Sequence, residues 1–443
     1  MIKITAFGGY SKIGKSMTAI RIDDKIIITD MGADIERLVN YEEEERNISV
    51  KNKEPLLENG IIPDDRELYE KDGSKVIAIV LTHGHLDHIW AAPFLAGKYK
   101  CPVICSPFTE RILSHIAYNM KSKDLQILKI NTGTNYKLAD GISIELVHIT
   151  HSIPNSTVAV IHTKYGAIAY ANDWKFDNFP TLGNKPNYER LEALGREGIF
   201  ALISDSTNVD EEGFAFSESV VKMMLEDVIR KSLSNKTIFI TTFSSHIARI
   251  KNITEISRKL GREVLVFGRS MDMYLSSAIN VGIIKKSEVP PATTRANTMN
   301  NLLRQVSGKP GKYVIICTGH QGEPGAFLDK LATGRLNYRL SQEDGVIFSS
   351  RTIPTPLNIA NRGALQRALQ DYGVSIADNI HASGHAYRNE QKEFLKMLKP
   401  KHYIPSHGGL EKLTSAIGLS KELGYELNKN AHILLDRQEI VLD

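Results

Sequence analysis

Cysteine is scarce in this chain: three among 443 residues. Cys101, Cys105 and Cys317 show no zinc-ribbon spacing. That scarcity argues against a disulfide scaffold and fits a reducing compartment, in which the three thiols fill core space. Long apolar runs are missing too, and none reaches membrane-spanning length. The start, Met1-Ile-Lys-Ile-Thr5, reads as a strand rather than a signal peptide. A cytoplasmic protein with no membrane association is therefore the expectation. Nor is there a large excess of one charge. A formal net charge of +4 and a pI near 8.6 permit a polyanionic partner without demanding one. No internal repeat and no low-complexity tail is present. The length exceeds what one ordinary core supports, so two or three domains are expected.

What the chain does hold is organised around Thr82-His83-Gly84-His85-Leu86-Asp87-His88. An apolar run, Val76 to Leu81, precedes it and reads as a buried strand; an apolar helical pattern from Ile89 to Leu95 follows. His83 and His85 stand two apart, so on extended backbone both imidazoles leave one face. Asp87 and His88 come after the chain has turned, and they point at a neighbouring position. Three neutral imidazoles and a carboxylate so close together suit a borderline metal such as zinc, with room for two ions. A merely solvated helix start has no need of four ligand-type side chains at this spacing.

The rest of the N-terminal half reads as strands whose ends are polar. Ile2 to Phe7 and Met17 to Asp30 are strand-like, with turns at Gly8-Gly9 and Asp23-Asp24. Asp30 stands where it could orient a metal-bound histidine or simply cap a turn. The acidic run Glu42 to Glu45 reads as a solvated loop or short helix without chemistry. Pro102 to Cys105 begins a further strand. The next ends in Ile149-Thr150-His151-Ser152-Ile153-Pro154. Ala167 to Ala171 leads into Asn172-Asp173-Trp174-Lys175-Phe176-Asp177, and Phe200 to Ser204 into Asp205-Ser206-Thr207-Asn208. Three successive strands ending in His, Asp and Asp are what the edge of a sheet bearing a site would show.

The middle of the chain alternates strand and helix. Thr237 to Thr242, Val264 to Phe267, Tyr313 to Cys317 and Val346 to Phe348 are short buried strands. His246 to Leu260 is a helix with Ile247, Ile250, Ile253, Ile256 and Leu260 on its apolar side and Gly261 as its stop. Such alternation predicts a parallel sheet with ligands beyond the carboxyl ends of its strands. The loops there are Ser244-Ser245-His246, Gly268-Arg269-Ser270, Thr318-Gly319-His320-Gln321-Gly322-Glu323 and Ser349-Ser350-Arg351. Small, hydroxylic and basic, they suit phosphate contacts, with ordinary loop composition as the alternative reading. Beyond them come His381-Ala382-Ser383-Gly384-His385, an amphipathic helix from Asn389 to Leu398, and Tyr403-Ile404-Pro405-Ser406-His407-Gly408-Gly409.

These pieces resemble, in order and across nearly the whole chain, the ribonuclease J family of metallo-β-lactamase-fold nucleases in the β-CASP group. The matching motifs are Phe7-Gly8-Gly9, Ile13-Gly14-Lys15-Ser16, Thr82 to His88, Thr150 to Pro154, Asp173 to Asp177, Ser204 to Asn208, Cys317 to Pro324, Ser383 to Tyr387 and Ile404 to Gly408. The histidine-aspartate motif is superfamily-wide. The Gln321-Gly322-Glu323-Pro324 and Ser383-Gly384-His385-Ala386 pieces are more particular. The chain departs from the family at His246, where asparagine is common, and at His320, where serine is usual. It also stops soon after the last motif, as the archaeal branch does, whereas bacterial members carry a further C-terminal domain.

The resemblance implies an α/β protein: a four-layer αββα metallo-β-lactamase domain over residues 1–207 and 371–443, with a parallel-sheet β-CASP domain inserted at 208–370. It implies two zinc ions per chain. His83, His85 and His151 would hold one, Asp87, His88 and His407 the other, and Asp173 would bridge them. Asp87, Asp173 and His385 would be catalytic, Asp30 and Asp205 would support the ligands, and His385 would protonate the leaving oxygen. Ser245, His246, Arg269, His320, Ser350, Arg351, Ser383 and His385 would contact RNA. The activity implied is 5′→3′ degradation of single-stranded RNA, preferably from monophosphorylated 5′ ends. In it, ions about 3.5–4 Å apart would activate a hydroxide toward the phosphodiester. Magnesium or manganese would be alternative activators, and a homodimer the assembly. The nearest rival is an endonuclease of the polyadenylation-factor type, which usually has RNA-binding modules ahead of this fold. A small-molecule zinc hydrolase would have no need of the inserted domain. A non-enzymatic RNA-binding subunit would have lost ligands.

Overall fold

The computed structural model describes residues 1–44, 53–353 and 355–443, the side chains of residues 42–44 excepted. Helix Ile35–Glu44 enters the acidic run, and the part of that run from Glu45 onward lies outside the described residues. The chain forms two compact units. The first comprises Met1–Asp177, Lys185–Ala215 and Gly384–Asp443; the second comprises Asn178–Asn184 and Phe216–Ser383.

In chain order the strands of the first unit are β1 (Ile2–Gly8), β2 (Met17–Ile22), β3 (Lys25–Thr29), β4 (Val76–Leu81), β5 (Pro102–Cys105), β6 (Gln126–Lys129), β7 (Asn135–Ala139), β8 (Ile142–His148), β9 (Thr157–Thr163), β10 (Gly166–Ala171) and β11 (Ile199–Asp205). The second unit contributes β12 (Thr237–Thr241), β13 (Glu263–Phe267), β14 (Ala292–Thr293), β15 (Tyr313–Cys317), β16 (Asp344–Phe348) and β17 (Ser375–Ala377). The chain then returns to the first unit for β18 (His402–Ser406) and β19 (Glu439–Leu442).

Two sheets make the first unit, ordered β19-β1-β2-β3-β4-β5-β6 and β18-β11-β10-β9-β8-β7. They are packed face to face through one apolar core. Ile4, Ile20, Ile27, Val80 and Ile104 enter it from one sheet, and Ile144, Leu146, Ile161, Ile168 and Ile203 from the other. Strand β1 buries every second residue, the period-two pattern of a strand with one covered face. Strand β11 is buried at all seven positions, because its far face is covered as well. There Leu202 joins Trp174, Leu191, Leu194, Phe394, Leu398 and Ile417, much of it from helices Tyr188–Glu197, Arg388–Leu398 and Leu410–Lys421. On the other sheet, helix Pro107–Met120 buries Phe108, Ile112, Leu113 and Ile116 and packs on β6. Helix, sheet, sheet, helix is the expected four-layer order.

Strand direction matters more to the site than strand number. Strands β3 to β6 run parallel. Strand β9, which the sequence reading passed over, lies antiparallel between β8 and β10. The strands before His151, Asp173 and Asp205 are therefore not successive, as expected above. They nonetheless share a direction, since β8 and β10 both oppose β9 and β11 runs parallel to β10 and β18. One edge of each sheet thus collects carboxyl ends. The helix expected over Ile89 to Leu95 is in fact two short ones, Leu86–Ile89 and Ala92–Leu95.

The second unit is a single parallel sheet ordered β14-β13-β15-β12-β16-β17. Phe239, Phe267, Ile315, Cys317, Val346 and Phe348 pack on one face against Leu303, Leu328, Leu365 and Leu369. Helix Ile247–Lys259 buries the expected stripe of Ile247, Ile250, Ile253 and Ile256, and Gly261 leaves it with φ of 72°. Among the described residues no helix is long and apolar enough to cross a membrane. Ile168 is wholly buried between the sheets of the first unit. Ile168→Ala is expected to cost about 2–5 kcal/mol, read as a lowered urea midpoint with an unchanged slope. A midpoint equal to that of the parent would contradict the packing.

Candidate metal centre

Two groups of donor atoms converge at the common edge of the first unit, each within 4.8 Å: His83, His85, His151 and Asp173, and Asp87, His88, Asp173 and His407. Each comes from a strand end. The His83–His88 segment leaves β4, His151 follows β8, Asp173 follows β10 and His407 follows β18. In the first group His85 Nδ1 is 3.1 Å from both His83 Nε2 and His151 Nε2. Asp173 Oδ2 is 3.5 Å from His83 Nε2 and 3.4 Å from His151 Nε2. In the second, His88 Nε2 and His407 Nε2 each lie 3.2 Å from Asp173 Oδ1. Asp87 Oδ2 is 3.5 Å from His88 Nε2 and 3.7 Å from His407 Nε2. A tetrahedral ion with bonds of about 2.0–2.1 Å has ligand–ligand edges of about 3.3–3.4 Å. Both groups have that size.

The outward nitrogens fix what the inward ones can do. His151 Nδ1 lies 2.6 Å from the Gly384 carbonyl, which can only accept, so the proton is on Nδ1 and Nε2 offers a lone pair. His88 Nδ1 lies 2.7 Å from Asp30 Oδ2, which fixes a proton on Nδ1 and turns Nε2 to the site. Asp30 also accepts from the Thr82 amide at 2.8 Å and hydroxyl at 3.0 Å. With its one proton given to Asp30, the Thr82 hydroxyl is left to accept from His83 Nδ1 at 3.0 Å. His407 Nδ1 meets Ser16 Oγ at 3.2 Å. Lone pairs aimed at one another are repulsive unless a cation lies between them. His88 Nε2 and Asp173 Oδ1 are buried without a hydrogen-bond partner, as two donors waiting for an ion would be. The residues fit the metals that the sequence implies.

Backbone geometry serves the same end. Asp30, Asp173 and His407 have φ of 58°, 58° and 56°, a left-handed conformation rare outside glycine. Strain of this kind persists where surrounding packing imposes it. Two glycines permit close approach. A Cβ on Gly32 would meet the Asp87 carbonyl oxygen at 1.5 Å, and one on Gly384 would meet the His151 ring at 2.7 Å.

Electrostatics follow from burial against charge. Burial lowers the pKa of His83, His85 and His151 well below the usual histidine value, which keeps them neutral ligands. For His88 burial acts the same way, but Asp173, Asp87 and Asp30 outweigh it and raise the ring. A proton and a metal would therefore compete for that nitrogen. Asp173 is lowered despite burial by His407, His88 and His385. His385 stands beside the ligands, its Nδ1 2.8 Å from Asp205 Oδ2 and its Nε2 3.9 Å from Asp173 Oδ2. Burial opposes its charge, yet the carboxylates of Asp205 and Asp173 carry its pKa up to about 9.

The residues expected to touch RNA fare unevenly. Arg269 and Arg351 are exposed at strand ends of the second unit. Ser245, His246 and Ser350 are buried. His246 Nδ1 accepts from the Arg249 amide at 3.1 Å and so caps the following helix, with Nε2 3.5 Å from Glu218. His320 is mostly buried, its ring edge-on to Phe243 at 4.2 Å, and burial lowers its pKa. Ser383 is half-buried. Sequence reasoning assigned no role to Ser16 or to the Gly384 carbonyl, although both motifs were in view. Asp30→Ala removes the partner of His88 Nδ1 and is expected to weaken metal retention about 10–100-fold, read by elemental analysis across a chelator titration. Retention like the parent's would remove Asp30 from that role.

Comparison with known proteins agrees with the geometry. Residues 16–203 match the metallo-β-lactamase superfamily, residues 235–364 the ribonuclease J β-CASP domain, and residues 374–433 a zinc-dependent metallo-hydrolase RNA specificity domain. Ribonuclease J of Methanocaldococcus jannaschii is 39% identical, over 99% of this chain and 98% of that protein. Ribonuclease J of Pyrococcus abyssi is 40% identical over 98% and 95%. Ribonuclease J 1 of Streptococcus pyogenes is 33% identical over 96% of this chain and 71% of its own length. A crystal structure of a protein of unknown function from Enterococcus faecalis V583 shares the fold, with a TM-score of 0.66 at 18% identity over all of both chains. The histidine-aspartate site, the inserted parallel-sheet domain and full-length relatives near 40% identity agree: this chain belongs to the ribonuclease J family.

Proposed function

We propose that this chain is a zinc-dependent ribonuclease that degrades single-stranded RNA 5′→3′, preferring monophosphorylated 5′ ends. The observation that carries the reading is the pair of donor sets sharing the Asp173 carboxylate, together with full-length kinship to ribonucleases J. His83, His85, His151 and Asp173 would hold one ion, and Asp87, His88, Asp173 and His407 the other. Bound zinc would supply Lewis acidity and a lowered pKa for an attacking water. The protein's own part is positioning and proton transfer. The Asp205 carboxylate accepts a hydrogen bond from His385 Nδ1 at 2.8 Å, orients the ring and stabilises its protonated form. With a pKa near 9 His385 holds a proton at neutral pH, and its Nε2 faces Asp173. As water adds to phosphorus, losing one proton to solvent, and the bond to the 3′-oxygen breaks, His385 gives its own proton to the leaving oxygen and is later reprotonated from solvent. The products are a 5′-phosphate and a 3′-hydroxyl. None of these groups reads a base edge, so base preference should be weak.

The test is digestion of one RNA labelled in turn at each end and bearing a 5′-hydroxyl, monophosphate or triphosphate. Early release of mononucleotide from the 5′ label, fastest with the monophosphate, is expected. Equal rates on all three ends, with internal fragments first, would replace this reading by the endonuclease. Arg351, exposed in the second unit, is expected to contact phosphate. Arg351→Ala should weaken binding to all sequences alike and lower the slope of log affinity against log salt by about 1. An unchanged slope would take Arg351 out of the RNA path.

A further inference from the structure

Glu390 lies in the first turn of helix Arg388–Leu398, 1% exposed, and it touches neither a metal donor nor His385. Its carboxylate accepts three backbone N–H groups. Oε1 takes the Phe176 amide at 2.8 Å, and Oε2 takes the Ala215 amide at 2.8 Å and the Tyr387 amide at 2.9 Å. Only the Tyr387 bond belongs to the helix's own capping box. The other two reach into separate segments. Phe176 is three residues past Asp173, Tyr387 is two past His385, and Ala215 closes the segment that leaves Asp205.

A main-chain bond, from the Ala386 amide to the Trp174 carbonyl at 2.7 Å, joins the Asp173 and His385 loops directly. The Asp173 loop is also tied to the His151 segment. Thr150 Oγ1 donates to the Lys175 carbonyl at 2.6 Å, and the Lys175 amide donates to the Thr150 carbonyl at 2.9 Å. The metal side of that loop is thus also held apart from Glu390, while on the His385 side the carboxylate adds to the His151 Nδ1 bond to the Gly384 carbonyl and the His385 Nδ1 bond to Asp205. We propose that Glu390 is a positioning residue: by accepting from the Asp173, His385 and post-Asp205 segments at once, it sets His385 against Asp173 for proton transfer. A glutamine there offers one oxygen for three donors and turns an N–H₂ toward an N–H, so at least one donor loses its partner.

The inference rests on the acid role given to His385, and the test separates the two. E390Q is expected to lower kcat about 10–100-fold, with KM within about twofold of the parent and full metal content by elemental analysis. In a His385→Ala background the same change should cost less than about twofold, because a residue acting through His385 has nothing left to position. A merely structural Glu390 would lower the thermal midpoint and leave kcat of the folded protein alone; that result overturns the proposal, as does loss of metal. Equal losses in both backgrounds overturn it as well. If His385→Ala by itself kept the parental rate, the acid role would fall, and this inference with it. Should E390Q fail to fold, Tyr387→Pro removes one donor while keeping the carboxylate, and Tyr387 has φ of −83°, which proline tolerates. A folded Tyr387→Pro protein should show the same loss of kcat at full metal content, and parental kcat there would overturn the proposal.

Discussion

A carboxylate with 3% of its side chain exposed, faced by imidazoles from both sides, is a costly thing to bury, and the first unit is arranged around Asp173. Desolvation alone would protonate it. The five ligand histidines cannot all compensate as cations, because three are held neutral by their own burial. The protons of His151 and His83 are drawn outward, to the Gly384 carbonyl and the Thr82 hydroxyl, so their inward nitrogens carry lone pairs. An arrangement of anion and lone pairs converging on two points is stable only with positive charge at those points. The hydrogen bonds that set the tautomers therefore belong to the metal site as much as the ligands do.

Holding such donors at tetrahedral spacing requires a scaffold that does not relax. Two sheets packed through branched aliphatic side chains provide it. Because β8, β10, β11 and β18 run the same way, their carboxyl ends present donors along one edge. The left-handed backbone at Asp30, Asp173 and His407 is maintained against its own preference by that packing. Each of the three begins just past a strand end, where the chain must turn sharply and still aim a side chain back over the sheet.

Much of this was legible in the residues. The spacing of His83, His85, Asp87 and His88 announces two sites, and the apolar run before it announces the strand that presents them. The alternation of the second unit was legible because buried parallel strands are continuous apolar runs, as at Tyr313–Cys317. Strand β9 has no polar motif at its end to mark it, although Thr157-Val-Ala-Val-Ile-His-Thr163 is β-branched at five of its seven positions. Attention to polar strand ends favours strands that end in chemistry, and this one runs the other way. Glu390 gave no signal at all, since its partners are backbone amides from distant segments. A residue whose role is to accept main-chain N–H groups leaves no trace in side-chain patterning.

In the second unit polar loops also serve the fold itself. Ser244-Ser245-His246 has the composition of a phosphate loop, yet it precedes a helix whose Arg249 is wholly buried. That guanidinium pairs bidentately with Glu218 at 2.6 and 2.7 Å and donates to the Ser349 carbonyl at 2.8 Å. A buried ion pair of this kind is costly to make and more costly to break, and it must be surrounded by small polar groups that complete its hydrogen bonds. The serines and histidine around it are what such a knot needs. Composition alone cannot tell groups that complete a buried charge from groups that wait for an external one, because both must be short, polar and at a strand end. Arg269 and Arg351 differ in being exposed, where a cation can meet an incoming phosphate at the surface. Exposure, which one sequence does not display, separates the two cases.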